Sequence, residues 1–70
     1  MSNGFQIELN GEAYRVDGDA RLASLIERLK LKRGRIAIEI NRAIVARAAW
    51  DEVTLKAGDM VEIVNFVGGG

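Results

Sequence analysis

The chain has no cysteine and no histidine among its 70 residues. Their absence excludes disulfides and thiolate or imidazole metal sites, and it removes the commonest general base. An excess of either charge is also missing. Ten Lys plus Arg balance ten Asp plus Glu, so the whole-chain charge gives no argument for nucleic acid or an anionic membrane. No apolar run approaches the roughly 20 residues of a membrane span, and the first residues lack a signal-peptide pattern, so the expected location is cytoplasmic. An enzyme is hard to sustain. There is no nucleophile with a base beside it, no Gly-rich phosphate loop between a strand and a helix, and no metal-ligand spacing.

What is present is the composition of a folding domain, 49% hydrophobic and 29% charged. The length allows one domain over 1–70. A chain this small buries only about 60% of the surface its unfolded form exposes, so its core has to be well patterned.

The pattern is clear along most of the chain. Phe5, Ile7 and Leu9 alternate with Gln6 and Glu8, Asn10-Gly11 suits a type I′ turn, and Tyr14 and Val16 resume the alternation. This predicts a hairpin over 4–16. Asp19 is placed to cap a helix whose apolar stripe is Leu22, Leu25, Ile26 and Leu29. A terminal turn carrying Lys30, Lys32 and Arg33 puts cations at the negative helix end, and Gly34 marks the far end of the connection. Ile36, Ile38 and Ile40 predict a third strand, Ile44 and Val45 a short fourth, and "ARAAWDEV" one helical turn carrying Trp50 inward. Met60 to Phe66 is the last strand. The fold class is therefore α+β, a mixed sheet of about five strands with one main helix packed on one face. If Val61 and Ile63 face the helix, Val64 and Phe66 face away as an exposed apolar patch.

Four groups of residues are weighed for function. The carboxylates Asp17, Asp19, Asp51, Glu52 and Asp59 all sit at turns or helix starts, where capping accounts for them. Ser24, Thr54 and Tyr14 read as surface or core-edge groups. Arg28, Lys30, Lys32, Arg33 and Arg35 form a basic cluster over 28–35 that reads as a solvated helix end, since no aromatic interleaves to stack a base. Phosphate docking or steering of an acidic partner are its other readings. The chain ends Gly68-Gly69-Gly70 directly after the last strand. A terminal glycine carboxylate has no side chain beside it and can enter a narrow channel, while Gly68 and Gly69 let the backbone lie where any Cβ would collide. The expectation is a flexible tail over 67–70, which by itself reads equally as a frayed end or as a thread into a partner.

A ββαββ-type domain ending "GDMVEIVNFVGGG", with "EINRAIVARAAWDE" before it, resembles the sulfur carriers of thiamine biosynthesis, the ThiS family of ubiquitin-like β-grasp proteins. The resemblance covers essentially the whole chain and is most specific at Gly58-Asp59, at the Asn41-to-Arg47 hairpin with Trp50 following, and at Gly69-Gly70. Ala46 stands where a proline often precedes the arginine, and Ala20 where a Ser or Thr often opens the helix. The resemblance implies a carrier and not a catalyst. It implies that the Gly70 carboxylate is adenylated, with ATP and Mg²⁺ used by the partner and no cofactor bound by this chain, and is then converted to a thiocarboxylate. The implied partners are an adenylyltransferase of the ThiF type, related to ubiquitin-activating enzymes, and a thiazole synthase of the ThiG type, with neither nucleic acid nor membrane. Val64, Phe66 and Val67 are the expected docking residues. Three alternatives stay open: the carrier subunit for molybdopterin synthesis, a ubiquitin-like modifier joined to lysines, and a plain binding module using the basic cluster.

Overall fold

Asn10 and Gly11 both take positive φ, 50° and 84°, and so close the type I′ turn between β1 (Phe5–Leu9) and β2 (Glu12–Val16). The computed structural model describes residues 4–66 of the chain. The expectations for Val67, Gly68, Gly69 and Gly70 lie outside the described residues. After the hairpin come the helix α1 (Leu22–Arg28), a 3-10 turn (Arg33–Arg35), β3 (Ile36–Ile40), β4 (Ala43–Ile44), a 3-10 helix (Arg47–Glu52) and β5 (Met60–Asn65). The five strands form one sheet in the order β2-β1-β5-β3-β4. The last strand thus lies at the centre, parallel to β1 and antiparallel to β3.

The alternating apolar residues turn to one side and meet the helix. Ile7, Val16, Ile36, Ile38 and Val61 from the strands pack with Leu22, Leu25 and Ile26 from α1, and with Leu55 and Trp50 from the return segment. Trp50, 1% exposed, closes one end of this core, and its indole N–H donates to the Val45 carbonyl at 2.9 Å. The hydrogen bond removes the cost of burying the only polar atom of the ring.

Three local expectations are corrected. The cap of α1 is Arg21, not Asp19, because the Asp19 carboxylate sits two residues upstream and accepts from the Arg21 backbone N–H at 3.0 Å. The first helical N–H, that of Leu22, is taken instead by the Val53 carbonyl. Ser24, read as a surface or core-edge group, is half-buried, and its hydroxyl donates to Asp19 at 2.7 Å. The helix also ends before the terminal turn expected to carry Lys30, Lys32 and Arg33. Lys30 adopts φ 58°, its N–H bonds the Glu27 carbonyl, and the Leu31 N–H bonds the Ile26 carbonyl. That is a Schellman ending with lysine where glycine is usual. Lys30, Lys32 and Arg33 therefore follow the helix and are not in its last turn, where Arg28 is the one cation. Lastly, β4 covers Ala43–Ile44, and Val45 lies just beyond it with its N–H still bonded to the Ile38 carbonyl.

Candidate functional site

The site is built on β5, which carries the chain out to residues 67–70. Two asparagines hold that strand from opposite sides. Asn10, in the β1–β2 turn, donates its backbone N–H to the Val61 carbonyl, and its side-chain oxygen accepts from the Ile63 N–H at 2.8 Å. Asn41, in the β3–β4 turn at φ 53°, accepts from the Met60 N–H at 2.9 Å through its side chain and donates its backbone N–H to the Met60 carbonyl. Asparagine tolerates this left-handed backbone better than most residues, which leaves its amide free to pair with a neighbouring strand. One further bond, from the Phe66 N–H to the Arg35 carbonyl at 2.7 Å, continues the pairing past the end of β5.

With this register Val61 is buried and Ile63 half-buried, while Val64 is 56% and Phe66 49% exposed. Two of the docking residues expected from the sequence, Val64 and Phe66, are thus on the outer surface. Ile44, 79% exposed, joins them and was missed. Its signal was a matter of pairing: β4 places Ile44 opposite Glu39, so it shares the outer face, and single-strand periodicity is silent on that. Ile44, Ala37, Ala46, Arg47, Trp50 and Phe66 line a shallow groove of about 200 Å³. Two guanidinium groups flank that indole, Arg47 at 5.7 Å and Arg33 at 5.9 Å from the ring centre.

The other candidates have local roles. Arg33 donates to Asp51 at 2.6 Å, which holds the Asp51 carboxyl below its ordinary range, chiefly through that hydrogen bond. Asp19 lies well below the usual carboxylate range because Arg21, then Ser24, donate to its charged form. Arg28 reaches back to the carbonyls of Asp17 and Asp19 at 2.7 and 3.1 Å. Two of the five cations in the basic cluster, Arg28 and Arg33, are therefore engaged within the fold. Asp59 is 7% exposed and accepts from the Lys56 N–H at 2.8 Å and from the Asn41 side chain at 3.1 Å. It organises the entry to β5, as a turn carboxylate should.

Comparison with known proteins places these features in a wider setting. Residues 4–70 match the model of the ThiS family. The chain is 32% identical over 65 residues to the sulfur carrier protein ThiS of Bacillus subtilis, covering 91% of this chain and 98% of that one. It is 35% identical over 65 residues to a thiazole synthase of Magnetococcus marinus, covering 93% of this chain. There it spans only 20% of the relative's length. The crystal structure of the thiamine biosynthesis protein ThiS from Geobacter metallireducens superposes with a TM-score of 0.79 at 33% identity, covering 94% of this chain and 100% of that one. The mixed five-stranded sheet with one main helix is accordingly the β-grasp arrangement. No helix among the described residues is long and apolar enough to cross a membrane.

Proposed function

The chain belongs to the ThiS family, and on that premise we propose that it is a sulfur carrier of thiamine biosynthesis whose reactive atom is the carboxylate carbon of Gly70. The supporting observation is the reach of the family match, which runs from the first strand to Gly70 itself. A carboxylate is a poor acceptor of sulfur, because its charge is delocalised and oxide is a poor leaving group. Activation cures both faults. A Gly70 oxygen attacks the α-phosphate of ATP and pyrophosphate leaves, giving an acyl adenylate. A hydrosulfide-equivalent nucleophile then attacks the acyl carbon and AMP leaves, giving the thiocarboxylate. The chain supplies no catalytic side chain to either step; a ThiF-type adenylyltransferase supplies the site, the ATP and the Mg²⁺.

The thiazole synthase similarity supports the second partner. A protein named for thiazole synthesis carries, within a fifth of its own length, a segment similar to 93% of this chain, as expected if carrier and synthase work on one sulfur atom. In this reading Gly68 and Gly69 thread into both partners, Val64, Phe66 and Val67 dock beside the thread, and the location is cytoplasmic. The central position of β5 suits this task, because strands on both sides hold the base of the tail.

Intact-protein mass spectrometry tests the proposal. The chain is incubated with a ThiF-type enzyme, ATP, Mg²⁺ and a sulfur source, and the expected gain is that of one oxygen replaced by sulfur, localised to Gly70. No gain with an enzyme active on another carrier overturns it, whereas a stable isopeptide bond to a target lysine points to the modifier reading.

A further inference from the structure

The pairing of β3 with β5 sets Glu39 directly opposite Glu62 on the outer face of the sheet, and β4 places Ile44 on the other side of Glu39. Side chains opposed in this way have Cβ atoms roughly 5 Å apart, and like charges there are unfavourable. Glu8, opposite Met60 on β1, faces the same way. Among the described residues, the ion pairs engage none of these three carboxylates. Arg15 shares the face by register with Gln6, but it lies on the far edge strand and pairs with Asp17. Five cations cluster at 28–35, from the last residue of α1 onward, while Arg47 lines the groove with Ile44 and Phe66. A chain of zero net charge thus carries a local acidic patch bordering its exposed apolar one.

We propose that this face docks a folded protein surface that places an Arg or Lys side chain between Glu39 and Glu62 while its apolar groups cover Ile44, Val64 and Phe66. This presupposes the carrier reading and sharpens it, by stating what the contact surface of a partner must contain. Apolar contact is nearly non-directional and fixes no register on a flat sheet. Two fixed carboxylates do fix one. A guanidinium has five donors in a planar fork and can bond both carboxylates at once, and the surrounding apolar cover strengthens that attraction by excluding water. A partner without the cation would instead bury two opposed like charges, so the pair rejects wrong surfaces as well as attracting the right one.

Binding of the full chain to a ThiF-type adenylyltransferase and, separately, to a ThiG-type thiazole synthase tests this, at low and at physiological salt. Wild type and the double variant E39Q/E62Q are compared, each with a thermal melt. The double variant should melt no lower than wild type, because a repulsion has been removed. It should bind at least one partner about tenfold more weakly at low salt, with a flatter salt dependence. Unchanged affinity and salt slope for both partners, with wild type binding normally, overturn the proposal while leaving the carrier reading intact. A lower melting temperature in the double variant also overturns it, since the pair would then stabilise the free fold. A wild type that binds neither partner removes the carrier reading and the docking proposal together.

Discussion

Asn41 and Asp59 lie 18 positions apart in sequence and meet at the entry to the central strand, the Asn41 amide donating to the Asp59 carboxylate at 3.1 Å. The contact ties the β3–β4 turn to the turn before β5. Asp59 also accepts the Lys56 N–H, so one nearly buried carboxylate satisfies two donors from different segments. Asp59→Ala strands both. The expected loss is about 2 kcal/mol of unfolding free energy, measured by urea denaturation, with the denaturant slope unchanged. A loss below about 0.5 kcal/mol would mean that water replaces the carboxylate.

Lys30 holds the left-handed position at the end of α1 that glycine fills more readily. Lys30→Gly should therefore stabilise the chain, by about 0.5–1 kcal/mol, through relief of the Cβ clash and despite the extra freedom of glycine when unfolded. The check is the denaturation midpoint. A lower midpoint would show that the lysine side chain contributes more than its backbone costs.

Asp19 and Asp51 both ionise more readily in the fold than in an unfolded chain, where a carboxyl titrates near 3.9. A depressed carboxyl contributes stability above its unfolded value and loses it as pH falls through that value toward the folded one. D19N/D51N should thus melt below wild type near neutral pH, with the gap narrowing below about pH 4. Both carboxylates are exposed, so the gap should be small and should shrink in high salt. A gap that is constant with pH would assign the loss to lost hydrogen bonding alone.

Phe66→Asp places a charge on the outer face beyond β5 without touching the core, since Phe66 is half exposed. Melting should stay within about 0.5 kcal/mol of wild type, while binding to the adenylating partner falls at least about tenfold. Unimpaired sulfur transfer by this variant would remove Phe66 from the docking surface. Deletion of Gly70 should leave the melt unchanged and abolish thiocarboxylate formation.

Much of this was legible in the chain itself because the signals are local. Asn10-Gly11 dictates its turn through the positive φ that both residues accept, and the alternating isoleucines of β3 dictate which faces are buried. Asp19 was misplaced for a reason that is not local. A cap is chosen by competition, and the Val53 carbonyl, 31 positions beyond Leu22, won the helical N–H that a side chain was expected to take. Lys30 was missed as the helix stop because composition points to glycine, whereas the pull of Leu31 toward the core side can hold a lysine at positive φ.

Alone, the sequence determined the strand and helix periods and the inward and outward residues of β1, β2, β3 and β5, since each follows from side chains a few positions apart. Tertiary structure alone decided that β5 lies between β1 and β3, that Ile44 joins Val64 and Phe66, and that Glu39 faces Glu62. Register between distant strands depends on how all the buried faces pack together, and no single strand carries that information.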